Sequence, residues 1–192
     1  MSGYTVDIVT SNEYGPWEDL RFPAQNINPP GAASDPDIDS TNGLWLFGAA
    51  GTEILFGVAQ LPHHWVEGST LYPHVHWHKS TSAAGNVWWQ LDYEWVNQEG
   101  TYSGAYGSSS HSIILLAGTP DTNTAGKNLV TAFDAVSGAD RTISSLFFWK
   151  LSRVGGEATD TYGADCRMVE FDIHYMVDVN SMGSEDQYTK GF

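Results

Sequence analysis

Between residues 71 and 95, apolar and polar side chains alternate with a period of two. In PHVHWH (73–78), His74, His76 and His78 occupy one set of positions and Val75 and Trp77 the other. Successive side chains of a β-strand point to opposite faces, so the three imidazoles share one face and the apolar pair the other. STSAAGN (80–86) reads as a turn. Beyond it Val87, Trp89, Leu91, Tyr93 and Trp95 alternate with Trp88, Gln90, Asp92 and Glu94. The pattern predicts a long hairpin with one apolar face and one face of histidines and acids. Further on, Val169, Phe171, Ile173, Tyr175 and Val177 alternate in the same way with Glu170, Asp172, His174 and Asp178. Three strands of one design predict one sheet with a packed side and a polar side.

The rest of the chain reads as short strands and turns. Residues 1–43 hold few apolar groups and several breakers, among them Pro29 and Pro30, which restrict their neighbours to extended shapes. Within them WEDLRFP (17–23) carries Trp17, Leu20 and Phe22. This predicts an extended N-terminal arm that docks through those three side chains, on its own domain or on a neighbour. Regular structure is expected from Gly43, with LWLF (44–47) and EILFGVAQ (53–60) forming a hairpin around AAGT. Residues 61–68 read as a connection, because Pro62 cannot join a central ladder. A Gly/Ser/Tyr loop at 99–110 leads to a short strand at 112–117. Residues 118–142 are polar, anchored only by Leu129, Val130, Phe133 and Val136. Strands are expected again at 142–153 and 167–179, followed by a polar tail at 180–192. About eight strands with almost no helix indicate an all-β fold: an antiparallel, jelly-roll-like β-sandwich over residues 44–179, with another Greek-key sandwich as the alternative.

Composition narrows the partners. The chain has 192 residues, enough for one domain with a real core. Its net charge is −15 and its pI near 4.5, which disfavours nucleic acid and anionic membranes alike. The single cysteine, Cys166, excludes an internal disulfide. No apolar run approaches the ~20 residues of a membrane helix, and MSGYTVD lacks the start of a signal peptide. A soluble protein made in a cytoplasm is expected.

Several groups could carry chemistry. His74 and His76, at i and i+2 on a strand, lie ~7 Å apart and could share a metal, whereas His74 and His78 are ~13 Å apart. Asp92, Glu94, Glu170 or His174 could complete such a site if their strands adjoin. A cupin-type metal enzyme also places His-x-His on a jelly-roll strand, yet KSTSAA follows here where that motif has a glutamate, and its second motif is missing. The alternative is a polar face of His74, His76, His78, Asp92, Glu94, Glu170, Asp172 and His174, solvated or joined by His–carboxylate hydrogen bonds. On this reading no metal and no cofactor is expected, and each imidazole near an acid has a raised pKa. Glu157, Asp160 and Asp165 share one loop and offer calcium-type oxygens, but in no EF-hand spacing, and Arg153 could pair with one of them. There is no nucleophile elbow or phosphate-binding loop, so catalysis is not expected. Trp88 and Trp89 fall on opposite faces of one strand, so one of them must meet the other sheet face, a partner or a ligand. Trp88 and Tyr106 are candidate stacking platforms for sugar rings; aromatic surplus also suits protein interfaces.

Taken together, WEDLRFP (17–23), FGVAQLP (56–62), PHVHWH (73–78) with GNVWWQ (85–90), and KLSRVGG (150–156) through DTY (160–162) to EFDIHY (170–175) resemble a family of short structural proteins from tailed bacteriophages and prophages. The resemblance spans most of residues 17–178. It implies a non-enzymatic virion component, assembled in the host bacterial cytoplasm, and brings no catalytic residues with it. An acidic, lysine-poor surface on a β-sandwich suits an outer protein such as a capsid decoration or a fibre-base component. The expectation is a homo-oligomer, a trimer favoured, that contacts virion proteins such as the major capsid protein through Trp17, Leu20, Phe22, Trp88 and Tyr106. A carbohydrate- or receptor-binding sandwich is the alternative, and a cupin-like metal-dependent enzyme the third reading.

Overall fold

A computed structural model of the protein describes residues 16–106, 113–116 and 124–179. The expected tail at 180–192, the start of the chain and parts of the two long connections at 99–142 lie outside the described residues. Ten strands are described: β1 (Trp17–Pro23), β2 (Asp37–Ile38), β3 (Trp45–Phe47), β4 (Thr52–Gln60), β5 (Tyr72–Lys79), β6 (Trp88–Val96), β7 (Ile113–Leu116), β8 (Leu129–Ala132), β9 (Leu146–Val154) and β10 (Cys166–Met176). A 3₁₀ turn at Ala24–Asn26 follows β1. Among the described residues no helix is long and apolar enough to cross a membrane.

The strands form two antiparallel sheets. One runs β2–β3–β10–β5–β8, with β1 also paired to β10, and the other runs β4–β9–β6–β7. Among the strands from β3 to β10, the first, eighth, third and sixth make one sheet and the second, seventh, fourth and fifth the other. That is the strand order of a jelly roll, as the alternation and spacing predict. The core between the sheets is aromatic. Trp89 packs edge-on against Phe47 at 5.0 Å and Trp77 at 5.9 Å, and Trp149 meets Phe171 at 4.7 Å. Gly57 makes room for Trp149, since a Cβ there would sit 2.1 Å from the ring.

Three expectations are corrected. First, neither β5 and β6 nor β3 and β4 form a hairpin of one sheet: β3 pairs with β2 and β10, and β4 with β9. β5 pairs with β10 and β8, and β6 with β9 and β7. The chain between them crosses from sheet to sheet, passing so close to Thr161 that a Cβ on Gly85, at φ +135°, would lie 2.6 Å from its carbonyl oxygen. Alternation reports which side chains turn inward, and both layers of a sandwich satisfy it equally. Second, residues 17–23 dock on their own domain, one of the two expected placements, but as a strand of the sheet and not as an arm: its seven residues pair along β10 from Trp17 opposite Met176 to Pro23 opposite Glu170. Leu20 and Phe22 pack on the shared core, and β2 pairs with β3, so the expected boundary at residue 43 does not mark where the sheet begins. Third, the polar stretch at 118–142 contributes a strand, β8, with Leu129 and Thr131 turned inward and buried.

Candidate functional site

Directly paired residues of antiparallel strands share a face. On β5 the inward positions go to Val75 and Trp77, so His74 and His76 face outward. His74 pairs with Asp172, His76 with Glu170, and on the other side of β10 Asp19 pairs with His174 and Arg21 with Asp172. The result is a compact charged cluster. His74 Nε2 touches Asp172 Oδ1, and His76 Nε2 lies 3.3 Å from Asp172 Oδ2. His174 Nε2 is 2.8 Å from Asp19 Oδ1. Arg21 donates from Nε and Nη2 to the two oxygens of Glu170 at 2.5 and 2.7 Å. The His74 ring sits 5.0 Å from that of His76 and 4.3 Å from that of His174. Asp172 is 4% exposed and His74 7%, so the centre of the cluster is dry although it lies on the outer face of its sheet.

The environment divides the histidines. Burial works against a charged His74, but the Asp172 carboxylate beside it more than offsets this and holds the ring above the usual imidazole value. His78 goes the other way. Burial and the nearby Arg167 guanidinium push it below that value, because its partner across the ladder is Arg167 rather than an acid. Arg167 is itself paired with Asp39 at 2.7 Å. His74, beside an acid, is shifted in the expected direction, whereas His78 has Arg167 and not an acid opposite it, so the expectation does not extend to it.

Asp92 and Glu94 are elsewhere, on the outer face of the second sheet, and the expected single face of histidines and acids is two faces of two sheets. Asp92 pairs with Lys150 at 2.7 Å. Glu94 accepts the backbone N–H groups of Ser103 and Gly104 at 2.7 and 3.1 Å, which folds the loop after β6 back over the sheet. That loop lays Tyr102 on Phe148 in a stacked pair at 4.1 Å and 24°, and Tyr106 against Phe56 at 5.4 Å. Tyr102 donates to the Tyr106 hydroxyl at 3.3 Å and stays 45% exposed. Beside it opens a groove of about 440 Å³ whose walls include Gln60, Gln98, Glu99, Ser144 and Leu146. Trp89 is the core member of the tryptophan pair, and Trp88 lies half-buried on this outer face. Trp17, 42% exposed, meets Tyr72 edge-on at 5.4 Å on the other sheet.

The acidic loop before β10 is structural. Arg153 is fully buried and donates to both oxygens of Asp160 at 2.9 and 2.8 Å, and to the carbonyls of Phe47, Ala164 and Tyr162. Asp160 also accepts the backbone N–H of Trp88 at 3.0 Å. With both oxygens so engaged, Asp160 is not placed to bind calcium with Glu157 and Asp165. The Cys166 thiol, pushed up to about 12 by burial, is no nucleophile at neutral pH.

Comparison with known proteins follows the fold. No protein-family model and no curated protein matches the chain. Among solved structures it resembles the mosquito-larvicidal Cry4Aa toxin of Bacillus thuringiensis, with a TM-score of 0.50 and 14% identity, over 83% of this chain and 24% of the toxin. A CBM35 from Cellvibrio japonicus Abf62 aligns with a TM-score of 0.46 and 10% identity, over 81% of this chain and 92% of that one. The CBM36-1 domain of a multidomain xylanase from the hindgut metagenome of Trinervitermes trinervoides gives 0.42 and 7%, over 82% and 96%. The chain thus spans about a quarter of the length of the toxin. At these identities the likeness concerns the β-sandwich alone.

Four residues escape a reading of the sequence. Asp19 and Arg21 sit in the segment taken for an arm, although the alternation of Asp19 and Arg21 with Leu20 and Phe22 is itself a short strand signal. Tyr102 lies in a Gly/Ser/Tyr loop that has no period to read. Lys79 continues the inward set of β5 after Val75 and Trp77. It is fully buried, donating to the carbonyls of Ala83 and Gly85 with its ammonium 4.7 Å from the centre of the Tyr162 ring.

Proposed function

We propose that this protein is a non-catalytic binding module that recognises a saccharide in the groove beside Tyr102. The observation that carries the reading is the stacked Tyr102–Phe148 pair. It offers an exposed aromatic face on one wall of a concave site whose other walls carry Gln60, Gln98, Glu99 and Ser144. The C–H face of a sugar ring packs on such a surface, while amide, carboxylate and hydroxyl groups meet its hydroxyls as donors and acceptors. The groove volume lies in the ordinary range for small-ligand sites. Glu94 supports the reading because it holds the loop, and hence the platform, in place before any ligand arrives. A glycan-array screen of the full chain, followed by calorimetry on the best binder, tests it. Tyr102→Ala should weaken binding by ~10-fold or more, in the range for removing a central aromatic contact. No glycan bound, or affinity unchanged in both Tyr102→Ala and Gln60→Ala, would reject the groove.

The second reading, a structural component of a tailed-phage particle, is supported by the shared segments at 17–23, 56–62, 73–78, 85–90, 150–156, 160–162 and 170–175. These fall mainly on β1, β4, β5, β6, β9 and β10 and so involve both sheets. The two readings are compatible, since a virion protein can present a saccharide-binding groove outward.

A further inference from the structure

We propose that His74, Asp172 and His174 form a binding site for one divalent transition-metal ion, zinc being the best match, on the outer face of the sheet that contains β5 and β10. The site is separate from the groove at Tyr102, which belongs to the other sheet, and it does not rest on the saccharide reading.

The strand geometry assembles the ligands. Asp172 lies opposite His74 across the ladder, and His174 is two residues along β10 on the same face. One ligating atom from each of the three lies within 4.8 Å of the other two, and among the described residues no other group of histidines, cysteines and acids converges in this way. Zinc held at ~2.0–2.1 Å by nitrogen and oxygen ligands in a tetrahedron needs them ~3.4 Å apart. Side-chain rotations that close the set by at most ~1.4 Å therefore suffice. Two imidazoles and one carboxylate are a borderline donor set, suited to zinc rather than to the all-oxygen preference of calcium or magnesium.

The surroundings are those of a metal site. His74 Nδ1 lies 3.4 Å from the Tyr72 carbonyl, which orients the ring. Asp19 holds His174 at 2.8 Å. Such contacts to the ligands' outer atoms fix ring orientation in metal centres. Asp172 is buried, and its Oδ1, although against His74, receives no hydrogen bond of good geometry. A bound cation would satisfy it. The side chain of His174 is 46% exposed, which leaves a path for the ion and room for a water as fourth ligand. His76, on the other carboxylate oxygen, can steady Asp172 or take that fourth position.

The experiment uses the full chain with any affinity tag removed and metal stripped by chelator. Zinc chloride is titrated in competition with a chromophoric zinc chelator, and bound metal is counted by elemental analysis after desalting. One equivalent per chain is expected. His174→Ala and Asp172→Asn should each weaken binding by at least ~10-fold, and Asp19→Asn by ~10–100-fold as an orienting partner. His78→Ala, on the same strand but next to Arg167, should leave it unchanged. His174 is half-exposed, so its alanine variant keeps the test decisive if Asp172→Asn misfolds; circular dichroism checks that both are folded. Absence of stoichiometric uptake by the wild-type chain overturns the proposal, as does uptake that survives His174→Ala undiminished.

Discussion

Arg153 brings a permanent charge to a place without water, and five donor contacts make that tolerable. Its planar fork fits Asp160 in two places and three carbonyl oxygens besides, a geometry an ammonium group cannot reproduce. Removing one partner of a buried pair costs more than the pair contributes, because the other charge is left unsatisfied. Arg153→Met should therefore destabilise the fold by about 3–5 kcal/mol, read as a fall in the urea midpoint, and Arg153→Lys should recover only part. Adding Asp160→Asn to Arg153→Met should restore some of the loss. A double variant less stable than either single one would show that the three carbonyls, not the charge pair, carry the effect.

Among the elements, β1 has the largest consequence for the architecture. It covers the edge of β10 opposite to β5, and an uncovered edge of that length invites pairing with other chains. Phe22 adds apolar contacts with Trp149 at 5.2 Å and Phe171 at 6.0 Å. Glu18 accepts the Tyr175 hydroxyl at 2.7 Å. Phe22→Ala should cost about 2–3 kcal/mol, below the full core range because the ring is only partly buried. Deleting residues 1–23 should go further, lowering the melting temperature sharply and promoting aggregation visible by light scattering. A truncated chain that melts like the full one and stays dispersed would return these residues to the status of a dispensable arm.

At the scale of the whole molecule, charge sets the response to acid. The chain carries −15 overall, so acidification relieves repulsion and masks individual carboxylates. A comparison of variants separates the two effects. The Arg167 guanidinium, followed by the Thr41 N–H, holds Asp39 below the usual carboxylate range. The Tyr175 hydroxyl, followed by His64, does the same for Glu18. A carboxylate whose folded value is depressed stabilises the protein above its unfolded value, near 4, and loses that contribution as pH falls through the folded value. Asp39→Asn should accordingly lower the melting temperature at pH 7, with a deficit that shrinks as pH drops below about 4. A deficit that stays constant to pH 2.5 would mean that Asp39 acts through packing rather than charge.

The sequence by itself determined the fold class and the inward side chains. Period-two alternation, Gly- and Pro-rich breaks and the scarcity of helical patterns are local properties, and they place Val75, Trp77, Trp89, Leu91, Phe171 and Ile173 in the core where they are found. It also brought His74 and His76 to notice, because their spacing on a strand is set by the backbone alone. Which strand lies beside which was decided only in three dimensions. Alternation is the same in both layers of a sandwich, so nothing local separates β6 from β5 or joins β1 to β10. Hence Asp92 and Glu94 left the histidine face, one pinned by Lys150 and the other holding a loop, while Asp19 and Arg21 joined it from a segment with few apolar residues. The cluster of His74, Asp172 and His174 exists because ladder pairing brings together residues some 100 positions apart, and chain closure of that kind leaves no trace in a short window of sequence.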